Sequence, residues 1–188
     1  MLQLDFSSFP EIETSRLLLR RITKRDAPEI LFLRSSNKVM QYIDRERAKS
    51  LGDAQDYINK IDAGIQNNDG IMWAITFLNK PGKLIGYIGY WRIVKEHYRA
   101  EIGYMLHPDY WRQGITKEAL IVLADYAFNN MKLHSIEANV NPSNAASASL
   151  LESIGFVKEA YFKEDYYFNG AFHDTLIYSL LQKNLLRK

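Results

Sequence analysis

The sequence predicts an α/β fold (α+β in its segregation), with a mixed, mostly antiparallel sheet and helices on its faces. Three strand-like segments run consecutively through the middle of the chain, joined by short connections, as antiparallel neighbours are. After them strand and helix alternate, and such crossovers lay helices on the faces of a sheet. A third observation sets the scale: 188 residues, 47% hydrophobic and 24% charged, suit one globular domain with a substantial core.

Residues 17–22 form a short apolar run flanked by arginines and read as the first strand. In residues 24–34, Ala27, Ile30, Leu31 and Leu33 share a helical face, and Pro28 falls in the first turn, where it is tolerated. Residues 53–65 repeat that period with Tyr57, Ile58, Ile61 and Ile65, and Asn67-Asn68-Asp69-Gly70 ends the helix. Strands follow at 71–78, 84–94 and 99–106, with Pro81-Gly82 as a turn. A helix near residues 116–130 turns Ala119, Leu120, Leu123 and Ala127 inward. Residues 135–140 read as a strand and 143–153 as a helix of small residues. The chain closes on a hairpin, 161–168 and 172–180, whose Asn169-Gly170 is the dipeptide a tight I′ turn prefers.

The net charge of +2 is too small to imply nucleic acid or an anionic membrane as a partner. With no cysteine, the chain has no disulfide, thiolate metal site or cysteine nucleophile. Met1-Leu2-Gln3-Leu4-Asp5 lacks the basic start and apolar run of a secretory signal, and no stretch approaches the roughly 20 apolar residues of a bilayer span. A cytoplasmic protein is expected. No repeat, low-complexity tract or linker is present, so residues 1–188 are expected to form one domain.

Chemistry concentrates in two stretches. In Glu101-Ile102-Gly103-Tyr104-Met105-Leu106-His107-Pro108-Asp109-Tyr110-Trp111-Arg112-Gln113-Gly114-Ile115-Thr116-Lys117-Glu118-Ala119-Leu120, a strand ends at Pro108 and a loop containing Gly114 opens a helix. Such a turn presents unpaired N–H groups and the positive end of a helix dipole, which favour phosphate, and Arg112 and Lys117 add charge. An ordinary strand-to-helix connection has the same pattern. The second stretch, Asn141-Pro142-Ser143-Asn144-Ala145-Ala146-Ser147-Ala148-Ser149-Leu150-Leu151-Glu152-Ser153-Ile154-Gly155-Phe156, runs from a strand through polar capping residues into a helix that Gly155 stops. Each of these residues is open to a purely capping role.

In this order and spacing the two stretches resemble the GNAT N-acetyltransferases, and within them the branch of ribosomal-protein N-terminal acetyltransferases. The resemblance spans nearly the whole chain. It begins at Glu13-Thr14-Ser15-Arg16-Leu17-Leu18-Leu19-Arg20, continues through Ala100-Glu101-Ile102-Gly103-Tyr104 and the glycine loop, and ends with Asn144, Ser147, Leu150-Leu151-Glu152, Gly155-Phe156 and the aromatic hairpin. It implies the acyl-CoA N-acyltransferase fold, a splayed sheet of about seven strands flanked by about four helices. It also implies acetyl-CoA as co-substrate, with no metal.

The resemblance places acetyl-CoA where the strands ending near Leu106 and Val140 part. The pantetheine arm would pair with backbone at Met105 and Leu106, and the pyrophosphate would rest on the amides of Arg112, Gln113, Gly114, Ile115, Thr116 and Lys117. Asn144 resembles the family asparagine that meets the pantetheine arm, with Asn141 as the weaker candidate. The family loop pattern is Arg or Gln, two residues, Gly, one residue, then Gly or Ala; here Trp111 and Thr116 stand at its ends. Since that binding rests on backbone, Thr116 is expected to be tolerated. Many relatives carry a tyrosine four residues before the glycine of Gly-Phe to protonate the CoA thiolate. That position here is Leu151, leaving Ser147 or a bound water as the donor.

The acceptor amine must attack neutral. At pH 7 this costs about 1.4 kcal/mol for a peptide N-terminus of pKa near 8, and about 4.6 kcal/mol for a lysine near 10.4. A single modest base, or a water chain ending in a carboxylate, suffices for the first. The candidate is Glu101, which resembles the family glutamate on the fourth strand close to the splay. Alternation sets it with Arg99, Gly103 and Met105, opposite Ala100, Ile102, Tyr104 and Leu106. A surface glutamate paired with Arg99 is the competing reading. Glu164, Asp165 and Asp174 read either as the mouth of an amine site or as turn-stabilising residues. Tyr161, Phe162, Tyr166, Tyr167 and Phe168 read mostly as packing, with one or two facing substrate. His107, His134 and His173 have no metal-like spacing.

The expected reaction is direct transfer through a ternary complex, to a protein N-terminus or a small amine. A non-catalytic acyl-CoA-binding domain is the alternative, favoured by Leu151 alone. Substrate-binding loops are expected at residues 37–52 and in the final hairpin, in a monomer or homodimer.

Overall fold

The computed structural model describes residues 1–186. In chain order the elements are β1 (Ile12–Glu13), β2 (Leu17–Arg21), α1 (Ala27–Ser35), α2 (Asn37–Met40), α3 (Leu51–Gln66), β3 (Ile71–Phe77), β4 (Gly86–Val94), β5 (Arg99–Leu106), α4 (Ile115–Asn129), β6 (Ser135–Val140), α5 (Ala145–Glu152), β7 (Val157–Phe168) and β8 (Ala171–Leu181). The eight strands form one sheet in the order β1-β2-β3-β4-β5-β6-β8-β7. Pairing is antiparallel throughout except between β5 and β6.

Strand alternation gives the sheet two apolar faces. Along β3, Ile71, Trp73 and Ile75 join the cluster that includes Leu120, Leu123 and Ala127 of α4 and Leu151 of α5. Met72 and Ala74 point the other way, into the cluster formed with Ile30 and Leu33 of α1 and Ile58 of α3. The result is helices on both sides of a central sheet. A buried ion pair ties the start of α1 to β2: Arg20 Nη2 lies 2.6 Å from Asp26 Oδ1, and Asp26 Oδ2 accepts from the Thr23 N–H at 2.8 Å.

The feature that makes a site is the junction of β5 and β6. These strands are in register at Arg99 with Ser135, Ala100 with Ile136 and Glu101 with Glu137, and not beyond. Past that point β5 stays on β4 as far as Leu106 opposite Gly86, while β6 stays on β8 as far as Val140 opposite Leu176. Each strand follows its outer neighbour, so the sheet splays.

The sequence-based expectation of about seven strands and four helices falls one short on each count among the described residues. The additions, β1 of two residues and α2 of four, are too short to carry a period. α3 begins at Leu51, before the expected residue 53, because Ser50 and Asp53 form a capping box: Asp53 N–H donates to Ser50 Oγ at 3.2 Å, and Ser50 N–H to Asp53 Oδ2 at 3.0 Å. β7 begins at Val157, four residues before the expected start, because it is an edge strand exposed on both sides over that stretch and shows no alternation. Asn169 and Gly170 both have positive φ, 49° and 87°, as an I′ turn requires.

Candidate active site

A cavity of about 760 Å³ opens at the splay, lined by Glu101, Tyr104 and Met105 of β5. Glu137, Asn139, Val140 and Asn141 supply the β6 wall. The cavity therefore lies where the backbone ladder between β5 and β6 stops.

Glu101 is 7% exposed and bound to Arg92, with Nη1 to Oε2 at 3.0 Å. Arg99, the partner in the competing surface reading, pairs with Glu137 instead, at 3.5 Å. The exchange follows from a β-bulge between Trp91 and Val94, where Arg92 takes a left-handed conformation with φ 47°. Trp91 stands opposite Glu101 in the ladder and lies over Gly103, where an added Cβ would come within 1.9 Å of the indole. Its indole N–H is buried without a hydrogen-bond partner of normal geometry among the described residues. Burial raises the Glu101 carboxyl above its ordinary range; Arg92 opposes the rise, and Glu137 adds to it.

On the other face, the Tyr104 hydroxyl lies 2.7 Å from Ser147 Oγ, joining β5 to the first turn of α5. Burial pushes the Tyr104 phenol up to about 12, with the Ser147 contact pulling the other way. Both candidate asparagines use their side-chain oxygens locally. Asn144 Oδ1 caps α5 by accepting from Ser147 N–H at 3.1 Å, and Asn141 Oδ1 accepts from Ser143 N–H at 2.9 Å. Leu151 is fully buried in the core.

The glycine loop lies between β5 and α4. Trp111 donates its indole N–H to the Leu106 carbonyl at 2.8 Å, folding the loop back on the end of β5. Arg112 and Gly114 have φ of 59° and 73°, and no side chain caps the helix. The first bond of α4 runs from Glu118 N–H to the Gly114 carbonyl at 3.0 Å, so the amides of Ile115, Thr116 and Lys117 precede the helical ladder. The Ile115 side chain is buried, and Gln113 bonds back to the Asp109 carbonyl at 2.9 Å.

Three segments shape the far end of the cavity. Asp44, from the loop after α2, accepts a short hydrogen bond from Tyr166 of β7 and a longer one, 3.4 Å, from Asn141 Nδ2. His173 of β8 stacks on Tyr166 at 5.3 Å. Tyr42, Ile43, Asp44 and Arg45 line the cavity, as do Phe162, Asp165, Tyr166 and Asp174 from the hairpin. Asp174 also binds Tyr161 and the Glu164 N–H, so it has a turn-stabilising role as well. Tyr161, Phe162 and Tyr167 are half or more exposed, so the hairpin contributes less to the core than its aromatic content suggests.

Glu101, Met105 and Asn141 thus meet at one cavity, with Ser147 one contact behind it through Tyr104; residues 112–117 form a separate loop at the head of α4. Arg92, Trp91, Tyr104 and Asp44 were not legible as site residues. Tyr104 alternates with apolar neighbours and reads as core, and Arg92 reaches Glu101 only through the bulge.

The GNAT acetyltransferase domain family matches residues 16–157, and the chain belongs to it. The uncharacterised N-acetyltransferase YoaA of Bacillus subtilis is 37% identical over 174 residues, 93% of this chain and 98% of its own. A spermidine N-acetyltransferase from Vibrio cholerae, solved with CoA and spermine, superposes with a TM-score of 0.79 at 26% identity, covering 91% of this chain and 98% of that one. A ribosomal-protein-S5-alanine acetyltransferase from Vibrio fischeri gives 0.78 at 26% identity, covering 94% and 99%.

Proposed function

We propose that the chain transfers the acetyl group of acetyl-CoA directly to a primary amine within a ternary complex. The carrying observation is the cavity at the splay, which meets the buried Glu101 carboxylate, with the Tyr104–Ser147 hydroxyl pair adjoining it through Tyr104. The residues fit the co-substrate. The separated strand edges of β5 and β6 offer backbone groups to the pantetheine arm at Met105 and Leu106, with Asn144 beside it. The amides of Ile115, Thr116 and Lys117, with the loop from Arg112, suit the pyrophosphate.

On this reading the amine enters from the side of Asp44 and Tyr166, and Glu101 takes its proton. The raised carboxyl suits that task, since a base is more effective the closer its pKa lies to the working pH. The solved relatives are named for spermidine and for a ribosomal protein's alanine, so small polyamines and protein N-termini are the acceptor classes to test first.

The test is acetyl-CoA-dependent thiol release by the purified protein with N-terminal peptides, lysine peptides, polyamines and aminoglycosides. Release with one class identifies the acceptor. Binding of acetyl-CoA without release for any amine would leave a non-catalytic binder.

A further inference from the structure

Acetyl transfer leaves negative charge on sulfur, and α5 carries leucine where many relatives carry a tyrosine. We propose that Tyr104 is a positioning residue for the leaving group, acting through the Ser147 hydroxyl. The inference rests on the transfer reading and adds a residue to it.

The two hydroxyls lie 2.7 Å apart; Tyr104 lines the cavity at the splay, and Ser147 stands behind it in the first turn of α5. Ser147 is held at its backbone, because its N–H donates to Asn144 Oδ1 at 3.1 Å. Its hydroxyl rotor is then the remaining freedom. One hydrogen lies between two touching hydroxyls. When Tyr104 donates it, the Ser147 hydrogen is released to point into the splay. Burial favours the neutral phenol, so Tyr104 keeps its proton, and of the two arrangements open to the pair the one that serves the leaving group has Tyr104 donating to Ser147. Leu151, buried in the core, offers no hydroxyl of its own, so on α5 the hydroxyl offered is that of Ser147, and β5 supplies its partner.

The step balances without moving a proton from either hydroxyl. The amine lone pair forms the C–N bond at the thioester carbonyl, and the amine proton goes to Glu101. Collapse breaks the C–S bond, and its electron pair stays on sulfur as a thiolate hydrogen-bonded by Ser147. Glu101 returns its proton to solvent, and the thiolate takes one from solvent on release. Base and leaving group thus act from opposite faces of β5.

Two measurements test it. In steady-state kinetics Tyr104→Phe and Ser147→Ala should each lower kcat about tenfold, the worth of one hydrogen bond to a charged atom, with KM for acetyl-CoA within about twofold. The double variant should lose no more than either single, and multiplied losses would overturn the proposal. The second readout needs no acceptor. A thiolate stabilised by Ser147 lowers the pKa of the bound CoA thiol below its free value, so CoA affinity should rise with pH over the range in which a thiol ionises, about 8.5 for a cysteine side chain. The rise should disappear in Tyr104→Phe and for desulfo-CoA with the native protein. The same pH dependence in Tyr104→Phe as in the native chain would overturn the proposal. A Tyr104-dependent rise without turnover of any amine would defeat the transfer reading alone.

Discussion

The Arg16 guanidinium and the Glu118 carboxylate meet at 2.7 Å, joining the residue before β2 to the first turn of α4. Arg16 uses both Nε and Nη2 on Glu118 Oε2 and donates Nη1 to the Gln113 carbonyl at 3.1 Å. Thr14 Oγ1 and the Arg16 N–H close on Glu118 Oε1, at 2.5 and 3.2 Å. The Thr14-Ser15-Arg16 segment therefore works as a clasp on the loop assigned to the pyrophosphate.

Arg16→Ala should raise KM for acetyl-CoA several-fold with little change in kcat, because it loosens the loop without touching the reacting atoms. Arg16→Lys should restore only part of the loss, since an ammonium cannot reproduce the fork. Arg16 is about half exposed, so its contribution to stability is about 1 kcal/mol or less. These bonds hold the Glu118 carboxyl below its ordinary range despite the opposing effect of burial. Its contribution is then present above the unfolded carboxylate pKa and lost as pH falls through the lowered folded value. Calorimetry across that acid range should show the loss in the native chain and not in Glu118→Gln.

Glu101→Gln should lower kcat by about a hundredfold, the lower range for loss of a general base. In the native chain, kcat at saturating amine should fall as pH drops through the Glu101 pKa, which lies above the ordinary carboxylate value. Arg92→Ala removes the cation that opposes the rise and should move the fall to higher pH. An unmoved profile would count against Glu101 as the base.

Gly103→Ala should destabilise the fold by about 1–3 kcal/mol, the cost of overpacking, because its methyl would strike the Trp91 ring. Displacing Trp91 also disturbs the wall beside Glu101, so kcat should fall together with the melting temperature.

Asp44→Asn and Tyr166→Phe each weaken the contact that shapes the proposed acceptor end. If the amine binds there, both should raise KM for the amine and leave KM for acetyl-CoA within about twofold. Equal changes in both constants would place this contact elsewhere in the mechanism.

Elements with a buried face were legible in the sequence. β3, β5 and α3 have apolar residues in period, and the structure places each close to its expected bounds. β7 was cut short because an edge strand with both faces wet carries no alternation. The same limit applies to the site. Glu101 could be named as a candidate from the family resemblance, and the glycine loop from the turn that opens α4. Arg92 could not, since one left-handed residue in a bulge decides its direction, and Asp44 could not, since only the fold brings the loop after α2 to the hairpin.

The parting of β5 and β6 after Glu101 has a consequence for the free protein. Sheet edges are usually kept short, charged or covered, because their open amides and carbonyls recruit any extended chain. Here two such edges face each other inside the molecule, each fixed from behind by an antiparallel neighbour. That arrangement leaves two open strand edges, and what pairs with them is selected by hydrogen-bond spacing more than by side chains. Short extended peptides and peptidomimetics with the amide spacing of the pantetheine arm should therefore inhibit by competing with acetyl-CoA, whatever amine the enzyme acetylates.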